Sequence, residues 1–175
     1  MTRPDEARFA GLLREHKAIL HKVAFTYAGN PEDRRDLVQE MAIQLWRSFP
    51  RFDGRVKFST WAYRVSMNVA VSWLRGEHRR PRDTVPIEDL EHEIAATEST
   101  LGEASDNMRV LRGLIEGLDE LNRALILLYL DGHGADEIAE ILGITPGNVT
   151  TRVNRLKQRL QEGFARLEQP LEKTA

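Results

Sequence analysis

The sequence predicts an all-α protein: two small helical modules joined by an acidic flexible linker, the second containing a helix-turn-helix. Three observations carry this expectation. Apolar residues recur mostly at the helical period, with strand-like alternation scarce and Pro and Gly as punctuation. Residues 83–108 hold eight acids and no Lys or Arg, whereas residues 1–82 carry a net charge of about +7. From Gly134 onward, a short amphipathic segment, a Gly-Ile-Thr-Pro turn and a second amphipathic segment follow one another.

Composition sets the outer limits. A chain of 175 residues makes one domain or two small ones. Apolar residues make up 41% and charged residues 30%, enough for a modest core and broad solvated or partner-facing helix surfaces. The absence of cysteine removes disulfides and thiolate metal sites, and fits a reducing compartment. No apolar run approaches the roughly 18 residues of a membrane span. Arg3, Asp5, Glu6 and Arg8 break up the N-terminus, so no signal peptide or membrane insertion is expected, and the expected location is the cytoplasm. The net charge of −2 would argue against a nucleic-acid partner, but its uneven distribution removes that objection.

The first helix is expected from about Asp5 to Ala28, stopped by Gly29-Asn30-Pro31. A second starts near Pro31, a favourable first-turn residue followed by Glu32 and Asp33, and ends at Phe49-Pro50. After a loop from Arg51 to Phe58 that contains Asp53-Gly54, Ser59 is the expected N-cap of a third helix reaching about His78. The domains expected are therefore residues 1–80, an acidic linker at 81–107, and residues 108–170. In the last of these, helices are expected at about Met108–Glu116, Asp119–Leu130, Ala135–Leu142 and Pro146–Leu167.

The C-terminal motif is the most specific. Ala135, Ile138, Ala139 and Leu142 form one apolar face. Gly143 suits a left-handed helix end, Thr145 an N-cap and Pro146 the first helical position. On the second helix, Val149, Val153, Leu156 and Leu160 form a stripe to bury. Gly147, Thr151, Asn154 and Gln158 lie opposite, flanked by Asn148, Thr150 and Arg155. Arg152, Lys157 and Arg159 lie nearer the flanks. No acid occurs between Pro146 and Gln161. Short hydrogen-bonding side chains with arginines suit base edges and phosphates in a major groove.

The N-terminal module carries two unusual helix faces. On the second helix, Asp36, Gln39, Glu40, Ile43 and Arg47 share one face, polar but with an isoleucine at its centre. Such a face is compatible with plain solvation and with partner docking. On the third, Arg64, Asn68, Ser72, Arg75 and Arg79 form a polar stripe headed by Trp61, and Arg80 and Arg82 extend the charge. That stripe fits a nucleic-acid backbone with an unstacked base beside it, and equally a core Trp with solvated arginines.

Together, Asp36-Leu-Val-Gln-Glu, Phe52-Asp53-Gly, Phe58-Ser-Thr-Trp-Ala and Asn68 resemble the second conserved region of bacterial RNA polymerase sigma factors. Leu118 to Leu160, with Tyr129-Leu-Asp-Gly and Glu137-Ile-Ala-Glu-Ile-Leu-Gly, is similar to their fourth region. The short linker without a third region resembles the small extracytoplasmic-function (ECF) class. This resemblance implies a factor that binds core polymerase, recognises two promoter elements and promotes melting. Asp36, Gln39, Glu40, Ile43 and Arg47 would dock on the clamp helices of the largest subunit, with the fourth region on the flap of the second largest. Phe52, Asp53, Phe58, Trp61, Arg64, Asn68, Arg75 and Arg79 would serve the minus-ten element. Asn148, Thr150, Thr151, Arg152, Asn154 and Arg155 would serve the minus-thirty-five element. An anti-sigma partner and a linker running toward the RNA exit path are implied as well. Ala42 stands where the family commonly has an aromatic, Ser72 where Asp is common, and Thr150 and Asn154 where Lys and His are frequent. These departures bear on docking-helix packing and on promoter sequence.

A stand-alone helix-turn-helix regulator binding DNA as a dimer would account for the C-terminal half alone. An enzyme is not expected: His16, His21, His78, His92 and His133 have no ligand spacing, and there is no nucleophile elbow or phosphate loop. No cofactor and no metal are called for, and His133, in an Asp-Gly-His-Gly turn, is expected to be a solvated loop histidine.

Overall fold

The computed structural model describes the backbone of residues 3–76 and 106–168. Most of the acidic linker, and Arg79, Arg80 and Arg82 with it, lie outside the described residues. Among the described residues there are α-helices and one 3-10 turn, and no strand. The chain divides into two compact units, Met1–Thr100 and Leu101–Ala175.

The first unit contains α1 (Arg3–Tyr27), α2 (Pro31–Ser48), a 3-10 turn at Phe49–Arg51, and α3 (Phe58–Leu74), with each helix packed on the other two. Asn30 turns out to be more than a stop signal, because its side-chain oxygen accepts a hydrogen bond from the Asp33 amide at 2.8 Å. That satisfies one of the unpaired donors at the start of α2, with Pro31 at the first turn. The core is built from Phe9, Leu13, Leu20 and Val23 of α1, Leu37, Met41 and Leu45 of α2, and Ala62, Tyr63, Met67 and Ala70 of α3.

α3 departs from expectation at both ends. It begins at Phe58 with Lys57, not Ser59, at the N-cap, because the Lys57 carbonyl already accepts the Trp61 amide at 3.1 Å. It ends at Leu74 rather than near His78. Gly76, at φ +70°, takes the left-handed conformation that closes the helix, and its amide donates to the Trp73 carbonyl.

The second unit contains α4 (Asp106–Glu116), α5 (Glu120–Leu130), α6 (Ala135–Leu142) and α7 (Pro146–Glu168). α4 starts two residues earlier than expected, so Asp106 and Asn107 are helical rather than part of a linker. α7 is the axis of this unit, packed against α4, α5 and α6. Against α4 the approach is close: a Cβ built on Gly163 would lie 2.6 Å from Leu114 Cδ2.

Arg123 is the buried cation of this unit, 6% exposed. Its Nη2 donates to the carbonyls of Glu116 at 2.6 Å and Leu118 at 3.3 Å, serving acceptors left over at the end of α4 and in the turn that follows. Arg123→Ala is expected to destabilise the unit by about 2–3 kcal/mol, the range for a charged hydrogen bond removed from a buried acceptor. Urea unfolding of the full chain followed by circular dichroism checks this.

His133 is not the solvated loop residue expected. Its side chain is 15% exposed, with Nδ1 2.9 Å from a Glu137 carboxylate oxygen and Nε2 3.4 Å from one of Asp131. The α5–α6 turn is short enough to fold the ring back between these two carboxylates, joining the turn to the first turn of α6.

Candidate nucleic-acid interface and docking face

α6, the Gly143–Thr145 turn and α7 form the expected helix-turn-helix. Gly143 has φ +69°, and its amide and that of Ile144 both reach the Ala139 carbonyl. Thr145 Oγ1 accepts the Asn148 amide at 3.3 Å and caps α7. Val149, Val153, Leu156 and Leu160 are buried, as the stripe requires. The opposite side is open: Asn148, Thr150, Thr151, Asn154 and Arg155 are exposed and Arg152 is half-buried.

Several of these side chains are already held. Thr150 and Thr151 each donate a hydroxyl proton to the carbonyl four residues back, Pro146 at 3.1 Å and Gly147 at 2.9 Å. Arg152 Nε donates to Asn148 Oδ1 at 2.8 Å. Lys157 lies with its ammonium 5.5 Å from the centroid of Tyr129, which turns that cation toward α5.

In the first unit, Phe52 and Trp61 meet with ring centroids 5.0 Å apart. Phe49 and Phe58 pack beneath them: Phe58 lies 5.7 Å from Phe52 and 5.4 Å from Trp61, and Phe49 lies 6.0 Å and 6.3 Å from the same two rings. Phe52 and Trp61 are half-buried, whereas Phe49 and Phe58 are buried. Phe58 is therefore a support for the other two rings, corrected from a group presented to a ligand, because it starts α3 facing the core. Phe49, with Phe9 behind it as His16 lies behind Phe58, was missed as part of this cluster, although the spacing 49, 52, 58, 61 carries the signal. Beside the rings, Asp53 Oδ1 accepts the Arg55 amide at 3.0 Å across Gly54, which has φ +74°. Asp53 also pairs with Arg55 on the exposed loop. Along α3, Asn68 and Arg75 are exposed and Arg64 half-buried, while Arg79 lies outside the described residues.

On α2, Asp36, Gln39 and Arg47 are exposed and Glu40 is half-buried. Ile43 corrects the expectation of an exposed apolar centre: it is only 7% exposed. α2 packs on both α1 and α3, so its buried arc is wider than that of a helix covered on one side. What remains outward is a charged and amide face around a mostly covered isoleucine. Among the described residues, no helix is long and apolar enough to cross a membrane, and no group of three or more His, Asp or Glu residues could hold a metal ion.

Two family models match in the order the helices occur: Sigma-70 region 2 over residues 12–80 and Sigma-70 region 4 over residues 108–160. The two matches together define a transcription-initiation factor of the sigma-70 type. The ECF RNA polymerase sigma-E factor of Escherichia coli is 34% identical over 137 residues, covering 72% of this chain and 71% of that protein. ECF sigma factor SigE of Mycolicibacterium smegmatis is 29% identical over 162 residues, covering 89% of this chain; the chain spans 61% of that relative's length. A solved structure of the sigma factor RpoE in complex with the anti-sigma factor NepR from Bartonella quintana shares the fold, with a TM-score of 0.64 at 20% identity, covering 87% of this chain and 94% of that one. The chain belongs to the ECF sigma factors.

Proposed function

We propose that the chain binds core RNA polymerase, reads a minus-thirty-five element through α7 and captures the melted strand of a minus-ten element at Phe52 and Trp61. The observation that carries this reading is the pairing, in one chain, of an exposed face free of acids from Pro146 to Gln161 on a capped α7 with a half-covered aromatic pair beside Arg64, Asn68 and Arg75. Asp36, Gln39, Glu40 and Arg47 form the contact with the clamp helices of the largest subunit, with Ile43 contributing its exposed edge. The C-terminal unit engages the flap of the second-largest subunit. Residues 1–80 and 108–170 act as the two promoter-reading domains, and residues 81–107 connect them as an acidic linker toward the RNA exit path. The factor works in the cytoplasm, wherever polymerase is.

This chain needs no bond chemistry of its own, because polymerase makes the phosphodiester bonds. What it supplies is differential binding. Extruding a base costs a few kcal/mol, and stacking on an aromatic returns about 1–3 kcal/mol. Binding only the melted state pulls the equilibrium toward it. Arg64, Asn68, Arg75 and Arg79, with Asp53 at the loop, position the adjoining strand. Neither unit need bind promoter tightly alone, because polymerase tethers both.

The solved sigma factor–NepR complex supports a further partner, an anti-sigma factor; on this reading it would cover the α2 face and α7. The test of the whole reading is reconstitution: core polymerase plus this chain yields promoter-specific transcripts from a duplex template, and core alone does not. Failure of the chain to bind core at micromolar concentration would sink the reading. Arg155→Ala is expected to lower the slope of log affinity against log salt by about 1, as loss of one phosphate contact does. Holoenzyme binding to promoter duplex across a salt series checks this.

A further inference from the structure

We infer that Thr151 is a specificity-determining residue and that it reads an A·T pair. The inference rests on α7 being the promoter-reading helix. Thr151 lies at the centre of the exposed face, opposite the buried stripe of Val149, Val153 and Leu156. Gly147, one turn earlier, carries no side chain to hold the duplex away.

The Thr151 hydroxyl lies 2.9 Å from the Gly147 carbonyl oxygen. A carbonyl oxygen can only accept, so the hydroxyl spends its single proton there. What it presents outward is a pair of lone pairs and a methyl group. In the major groove, guanine offers only the acceptors N7 and O6, and a threonine with no proton left cannot donate to either. Adenine offers its N6 amine, a donor for the free lone pair, and its thymine partner offers a methyl group for the threonine methyl. A C·G pair offers the amine but no methyl, and sets guanine acceptors beside it.

Thr150 spends its proton in the same way on the Pro146 carbonyl but lies toward the flank of the face, whereas Asn148 and Arg152 have the opposite character. Arg152 has only donors, so the atom that accepts its Nε at 2.8 Å must be the amide oxygen of Asn148. The Asn148 amide nitrogen and the terminal nitrogens of Arg152 remain as donors, suited to phosphate or to guanine. The donor-rich edge of α7 and its acceptor-and-methyl centre are thus separate, and the A·T requirement belongs to the centre.

The test uses holoenzyme assembled from core polymerase and the full chain, challenged with a promoter library randomised across the minus-thirty-five element. Wild type is expected to select A·T at one position where a mismatch costs about 5- to 100-fold. Thr151→Ser, which keeps the hydroxyl and drops the methyl, relaxes that position several-fold. Replacing its thymine by uracil weakens wild type several-fold and leaves Thr151→Ser unchanged. Thr151→Val, which keeps the methyl and drops the hydroxyl, stays sensitive to uracil. If the position altered by Thr151 substitutions selects G·C in wild type, the inference is overturned. It also falls if Thr151 variants alter no position while Asn154→Ala or Arg155→Ala alters one, and in that case the reading of α7 stands. If none of these variants alters any position, that reading falls together with the inference.

Discussion

Core polymerase is expected to co-elute with the wild-type chain and to lose an Asp36→Arg/Glu40→Arg double variant, with affinity down about 100-fold or more. Both residues sit on the outward face of α2, one turn apart. Reversing both places two cations where the partner surface has been matched to two carboxylates, and like-charge juxtaposition costs several kcal/mol. Each 1.4 kcal/mol is a factor of ten in affinity. Asp36 is exposed, but Glu40 is half-buried with its Oε2 covered, so the circular dichroism spectrum and thermal melting of the double variant are compared with wild type, and Asp36→Arg alone should weaken binding in the same direction. Glu15→Arg, on the exposed side of α1, is the control and should co-elute normally. If the double variant binds core as wild type does, the docking face lies elsewhere.

Trp61→Ala is expected to reduce open-complex formation on a duplex promoter by about 10- to 100-fold, the equivalent of 1–3 kcal/mol of stacking on one base. Permanganate reactivity of unpaired thymines measures it. The same variant should transcribe nearly normally from a template already mismatched across the minus-ten element, because melting then no longer draws on stacking energy. That rescue separates base capture from misfolding, since a variant whose α3 had come loose from Phe49 and Phe52 would fail on both templates. Equal loss on the two templates would remove Trp61 from the melting step.

The helix-turn-helix was legible because its chemistry is local. Gly143, Thr145, Pro146 and the apolar stripe of α7 each act within a turn of their own position, and the structure sets each in the conformation its side chain favours. Ile43 was not legible in the same way. Helical spacing put it among polar residues, but its burial depends on α2 being packed by two helices, which α2 alone does not encode. Ser59 failed as a cap for a related reason. Cap residues compete, and the Lys57 carbonyl had already begun the helix. His133 lies in a turn whose composition reads as solvated; only the fold-back of that turn brings Asp131 and Glu137 to its two ring nitrogens. Assignment of the faces to clamp helices, flap and promoter came from resemblance, because a charged face does not name its partner.

The connections inside the C-terminal unit are tight: Gly117–Asp119, Asp131–Gly134 and Gly143–Thr145 each span three or four residues. Each turn is therefore set by residues close along the chain, as where the buried Arg123 reaches carbonyls only five and seven residues away, while α7 closes the unit by packing back on α4, α5 and α6. Closing loops this short takes well under a microsecond, and helical domains rich in local contacts fold in microseconds to milliseconds. A unit with such connections reaches its native shape soon after its last helix leaves the ribosome. Once opened by heat or denaturant, it is expected to recover on the same timescale, the docking of α7 on α4, α5 and α6 being the step that covers its apolar stripe.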